Sequence, residues 1–236
     1  MNIKNFAKVL YHWKKSKQIS YSQTGEDVIA AFYLPQTKKG FYVDVGANDP
    51  VYLNNTYLFY KKGWRGICVE PSPAKARLLR LRRPGDRILV MGAGEKEGNL
   101  PFYVFDPDTL STFSIKEAES YKKLGYHFLR EDKVAVKILA QILTDYAADR
   151  EIDLLSVDTE GQDLQVLKGN NWQRFRPKLV LAEVAEHCGN YGVRQHREFD
   201  DFMRACGYTK LADTYINALY LENNFAAAKK ISPINA

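Results

Sequence analysis

Short apolar runs recur along the chain and alternate with stretches of helical spacing. FYVDV at 41–45, RGICVEP at 65–71, RILVM at 87–91, IDLLSVD at 152–158 and KLVLAEV at 178–184 place apolar residues at nearly every position. That pattern predicts strands buried on both faces, as in a parallel sheet. Helices are predicted between them: 53–62, stopped by Gly63; one opening at Ser72 with Pro73 in its first turn; QILTDYAAD; DLQVLKG; and one near 197–205. Residues 99–105 and VAVKIL at 134–139 add extra strands, and 114–130 include a helix. YTKLAD and NALYLEN, joined by a short connection, predict a closing antiparallel hairpin. The result is an α/β fold with a mostly parallel sheet and helices on both faces.

With 236 residues and 45% hydrophobic content, one α/β domain can bury a core without staples. The division read from the pattern is an N-terminal extension over 1–20, a domain over 21–225 and a tail over 226–236. Three cysteines, none in a CxxC pair, argue against a disulfide framework or zinc knuckle and fit a cytoplasmic protein. No run approaches the ~18 apolar residues of a membrane span. The net charge of +6 permits anionic partners, but the basic residues are scattered among 28 acids, so nucleic acid is not required. Lysines do gather around Phe6, Val9, Leu10 and Trp13, near helical spacing. That helix either contacts a membrane surface or partner, or packs its apolar stripe on the domain with its lysines solvated.

Candidate chemistry lies where the strands stop. Asp44, Glu70, Asp158 and Glu183 each fall at the carboxyl end of a core strand, where open α/β sheets bind ligands. A charge there is costly to desolvate without a partner. Glu70, 24 residues beyond Gly46, stands where an acid can accept both hydroxyls of a ribose. Gly46 clears space at the first turn, but the turn lacks GxGxxG, and Pro50 removes a backbone donor that a pyrophosphate would use. The ligand indicated has a ribose and no phosphates.

YSQTGED at 21–27, the run from FYVDVGANDP to CVEPSP at 41–73, STFS at 111–114 and IDLLSVDTEGQDLQVLKG at 152–169 together resemble the FkbM family of S-adenosylmethionine-dependent methyltransferases. The resemblance implies a Rossmann-like class I methyltransferase fold and O-methylation of a sugar or secondary-metabolite hydroxyl. It implies cofactor contacts from Gln23 and Gly25 upstream, Asp44, Gly46, Ala47 and Asn48 in the first loop, and Asn55 and Thr56 beside it. Glu70, Pro71 and Ser72 follow for the ribose, and Gly92 and Ala93 for adenine. Asp44 is then expected to face the cationic methionine end. The C-terminal third matches weakly, so the small-molecule or glycan acceptor is not identified.

An acceptor alcohol needs a base or a metal to lose its proton. Asp158 and Glu160 are candidates at the fourth strand; their alternative role is to cap the helix beginning near Asp163 or to orient the site by hydrogen bonds. Asp158 and Glu183 offer oxygen ligands for Mg²⁺, and a metal-free site is the alternative. His187 is a candidate base, or a surface histidine. Ser111 and Ser114 either belong to a loop covering the ligands or make turns in a linker. Tyr121, Tyr126, His127 and Phe128 form a sugar-stacking lid or pack a helix onto the sheet. Two other classes compete: a nicotinamide-dependent oxidoreductase, disfavoured by the first turn, and a binding module docking through residues 1–18.

Overall fold

A computed structural model describes residues 19–34, 39–184 and 196–231. The predicted N-terminal helix and His187 lie outside them. A seven-stranded sheet runs in the order β3-β2-β1-β7-β8-β10-β9. Its members are β1 (Phe41–Val45), β2 (Arg65–Val69), β3 (Arg87–Leu89), β7 (Leu154–Val157), β8 (Leu179–Glu183), β9 (Tyr208–Asp213) and β10 (Asn217–Glu222). The pairs from β3 through β8 are parallel. β10 runs antiparallel between β8 and β9. The strand order reverses between β1 and β7, and β1 is buried along its whole length. The carboxyl end of β1 is thus the topological switch point.

The helices are α1 (Glu26–Tyr33), α2 (Tyr57–Lys61), α3 (Pro73–Arg82), α4 (Ile115–Lys123), α5 (Leu139–Ala147), α6 (Asp163–Lys168), α7 (His196–Ala205) and α8 (Asn223–Ala228). Phe41, Val43 and Val45 of β1 pack in one cluster with Leu139, Ile142 and Leu143 of α5. Tyr42 packs in a second cluster with Ala30 of α1, Phe59 of α2 and Leu79 of α3. The strand's two-residue alternation thus serves both layers.

Three expectations change. A separate sheet, β4 (Gly92–Gly94), β5 (Gly98–Asp106) and β6 (His127–Ile138), stands in the order β4-β6-β5. The span 114–130 includes the expected helix, α4, and its last residues begin the long strand β6. Helix α2 starts at Tyr57 rather than 53, because Asn54 Oδ1 accepts the backbone N–H groups of Thr56 and Tyr57 at 3.0 and 2.8 Å. Leu53 ahead of it has φ +50. The expected tail from 226 begins inside α8.

Arg83, where the chain leaves α3, is fully buried. Its Nε donates to Asp86 Oδ2 at 2.7 Å, and its terminal nitrogens reach Tyr42 Oη (2.8 Å), Thr56 Oγ1 (2.8 Å) and Asn54 Oδ1 (3.2 Å). Asp44 Oδ2 lies 3.7 Å away. Removing one member of such a buried pair leaves the other charge uncompensated. Arg83→Met is expected to lower stability by about 3–5 kcal/mol, read as a lower urea midpoint at unchanged slope.

Candidate active site

The turn after β1 is built from the chain's own hydrogen bonds. Gly46 and Ala47 donate to the Val69 carbonyl at 2.9 and 3.2 Å. Asn54 Nδ2 donates to the carbonyls of Ala47 and Asp49, both at 3.0 Å. Gly46 has φ +80, and a Cβ there would lie 1.7 Å from the Asp158 carbonyl oxygen. Glycine is therefore required twice over, by conformation and by the close passage of β7.

Beyond this turn opens a cavity of about 1210 Å³. Gln23, Gly46, Asn48, Glu70, Pro71, Ser72, Gly92 and Ala93 line it, as do Ser111, Asp158, Glu160 and Glu183. These expected residues come from seven separate parts of the chain and meet in one space. Phe102 and Val104 of β5 and Val134 of β6 wall one side.

Other expected residues are elsewhere. Asp44 is absent from the cavity lining. Its Oδ2 accepts Thr56 Oγ1 at 2.5 Å and Asn54 Nδ2 at 3.5 Å, beside Arg83. The physical reason is charge: an internal cation already answers this acid. Burial nevertheless pushes its pKa up, opposed by Arg83. Thr56, Asn55 and Ala47 are buried behind the turn. Gly25, with φ +95, starts α1. Ser114 caps α4 by accepting Glu117 N–H at 3.2 Å and lines a smaller neighbouring cavity that shares Glu183.

Glu70 joins the turns after β1 and β2. Its Oε2 accepts Asn48 N–H at 2.8 Å and its Oε1 accepts Ser72 N–H at 2.7 Å. A carboxylate has about four lone-pair directions, so each oxygen retains room for another donor. Burial pushes its pKa up to about 7, against those two N–H groups.

At the other end stand Asp158, Glu160 and Glu183, with one carboxylate oxygen from each within 4.8 Å of the others. Burial, with Asp163 next, raises Asp158 to about 8. Burial and the neighbouring carboxyls push Glu160 and Glu183 well above the usual range. Glu160 has φ +53, and its Oε2 accepts Tyr121 Oη at 3.2 Å. The expected alternative, in which Asp158 and Glu160 cap α6, is not what the loop shows. Asp163 ties it instead, accepting Thr159 and Gly161 N–H groups at 2.8 and 3.2 Å.

Several contributors escaped the sequence reading. Thr112 is fully buried and donates to the Glu160 carbonyl at 2.7 Å, pinning the STFS loop over the acidic end. Its only signal was that motif. Tyr121, by contrast, was expected either in a lid or packing a helix onto the sheet, and it packs edge-on against Phe105 of β5. Glu26 and Asp27 of the QTGED stretch are tying residues: Glu26 accepts Thr214 Oγ1 and Asn217 Nδ2, both at 2.8 Å. Asp27 accepts Ser20 Oγ and Tyr21 N–H at 2.6 and 2.7 Å.

A mostly parallel sheet reversing at β1, a buried acid just beyond β2 and a carboxylate cluster at the ends of β7 and β8 accompany a family match that makes the chain a methyltransferase. Residues 44–210 match the family described as Methyltransferase FkbM domain, and the chain belongs to that family. No curated protein matches the sequence. Among solved structures, a TehB-like S-adenosylmethionine-dependent methyltransferase from Corynebacterium glutamicum is similar at TM-score 0.45 and 10% identity, covering 93% of this chain and 97% of that one. The 1,6-didemethyltoxoflavin-N1-methyltransferase of Burkholderia thailandensis, holding S-adenosylhomocysteine, gives 0.41 and 14% over 94% and 89%. An O-methyltransferase from Bacillus cereus, also with S-adenosylhomocysteine, gives 0.39 and 10% over 94% and 92%.

Gly46→Ala is expected to abolish measurable S-adenosylhomocysteine binding in calorimetry, since its Cβ must push the turn off β7. Unchanged affinity in a folded variant would contradict the assignment of this turn.

Proposed function

We propose that the protein transfers a methyl group from S-adenosylmethionine to a hydroxyl of a carbohydrate or carbohydrate-bearing metabolite. The observation that carries this is one cavity with a bridging acid at one end and three clustered acids at the other. In this reading Glu70 accepts the ribose diol, the Gly46–Asn48 turn and Gln23 hold the methionine end, and Gly92 and Ala93 border adenine. The bound donor supplies an electrophilic methyl on a cationic sulfur. Glu160 would take the proton of the acceptor hydroxyl as the C–O bond forms and the methyl's bond to sulfur breaks, leaving neutral S-adenosylhomocysteine, and Tyr121 would orient its carboxylate. Once ionised, a carboxylate with a raised pKa is a stronger base than an exposed one. The walls formed by the STFS loop and β5 exclude water from the reaction.

A second reading has its own support. Three carboxylates this close suit a hard divalent cation such as Mg²⁺, which would lower the pKa of a bound hydroxyl. Asp158, Glu160 and Glu183 would hold it, and their neutralised repulsion would favour binding. Chelation that abolishes turnover, with recovery on adding Mg²⁺, supports the cation. Turnover untouched by EDTA leaves Glu160 as the proton acceptor.

Two measurements test the main reading. Calorimetric titration with S-adenosylhomocysteine should give saturable binding, weakened at least tenfold by Glu70→Ala, about 1.4 kcal/mol. No binding under any condition would sink it. The acceptor class is tested by transfer of labelled methyl to a panel of glycosides; label on nitrogen or carbon alone would refute O-transfer.

The pH dependence has a definite sign. In the free protein Glu70 is protonated below about 7, whereas a diol donates best to the ionised form. Affinity should therefore rise as pH increases from about 5.5 to 8, with proton release on binding, and Glu70→Gln should flatten this. For folding the sign is opposite. Because the folded pKa is raised, the stability contributed by neutral Glu70 is complete below its unfolded value and is lost as pH rises through about 7.

A further inference from the structure

We propose that the outward face of α3 docks the protein on a membrane surface carrying anionic phospholipids. Helix α3 turns Ala76 and Leu79 inward, with Arg83 beyond its end. At 100° per residue, the opposite face centres on Leu78 and Leu81. These leucines are 44% and 73% exposed, an unusual outward stripe for a surface helix, whose apolar side normally meets the core. Arg77, Arg80 and Arg82 are exposed around them. The helix contains no acid, and among the described residues no ion pair engages these three arginines. Lys75 is different, being paired with Asp108 at 2.7 Å.

The helix flanks β3, the edge strand of the main sheet, and among the described residues no strand lies beyond it. The chemistry selects the occupant. A nucleic-acid backbone would match the arginines but leave the leucines in water. A lipid surface offers a layer of phosphates over an apolar layer, and arginine stems can lie along that boundary with their heads among the phosphates. A leucine stripe edged by unpaired arginines complements both layers at once.

The same helix lends Ala74, Lys75 and Arg77 to the wall of the large cavity. Tyr52, 70% exposed, and Leu53 line that cavity too. Docking through α3 would set the cavity mouth among the headgroups. The docking stands without the reaction proposed above; only the corollary, that the acceptor hydroxyl is borne on a membrane lipid, rests on it.

The test is sedimentation of the full chain with vesicles of phosphatidylglycerol and phosphatidylcholine in equal parts, against pure phosphatidylcholine. Two double variants are compared, Leu78→Ser with Leu81→Ser and Arg80→Gln with Arg82→Gln, none of which lines the cavity. The expected result is binding to the anionic vesicles, reduced roughly tenfold or more by each variant and weakened by salt. S-adenosylhomocysteine affinity should stay unchanged throughout, which separates this outcome from failure of the methyltransfer reading. Absence of vesicle binding overturns the proposal, as does binding that survives both double variants. If the leucine variant instead turns an oligomer into a monomer without touching vesicle binding, α3 is an interface between copies and the proposal falls.

Discussion

The turn after β1 depends on a guanidinium sealed inside the protein. Taking such an ion out of water costs several kcal/mol unless its donors are met. Arg83 meets Asp86, Tyr42, Thr56 and Asn54, and lies beside Asp44. Asn54 passes the constraint on, because its amide holds the carbonyls of Ala47 and Asp49. The end of β1, the turn after it, the start of α2 and the end of α3 are therefore one electrostatic unit. The turn that borders the cavity is shaped from behind before any ligand arrives, which is how a binding loop becomes preorganised.

The far end of the cavity is arranged on the opposite principle. Asp158, Glu160 and Glu183 crowd together where burial already disfavours charge. Glu160 adds a left-handed backbone that a non-glycine residue adopts at a cost. Thr112 and Tyr121 hold that residue by its carbonyl and its carboxylate. Strain and like charge are kept in place by packing from α4 and β5, a layer separate from the main sheet. One half of the site is thus stable by itself, and the other is an imposed arrangement that a cationic or proton-sharing ligand would relieve.

The acids at the strand ends were legible because a charge closing an apolar run is conspicuous. Glu70, Asp158 and Glu183 reach the cavity on that signal. Asp44 carried the same signal yet lines no part of it, since a sequence shows an acid's need for a partner but not the partner. That partner was hidden in RLRR at 80–83, which reads as a solvated helix face. Three of those residues are exposed, and only the end of the helix turns the fourth inward. The second sheet was obscured similarly. In β6 the charged stretch REDK interrupts the apolar alternation, because those residues stand on a ribbon that projects from the core.

The place of β10 has a consequence for how the polypeptide comes into being. This strand is the last of the sheet to leave the ribosome, yet it fills an interior slot between β8 and β9. Until it arrives, the nascent chain presents β8 with an open hydrogen-bonding edge, and β9 has no neighbour in the sheet. β8 is an apolar segment of the kind that pairs promiscuously between molecules. The native sheet can close only after translation has passed residue 222, so β8 keeps an open edge from the time it emerges until then.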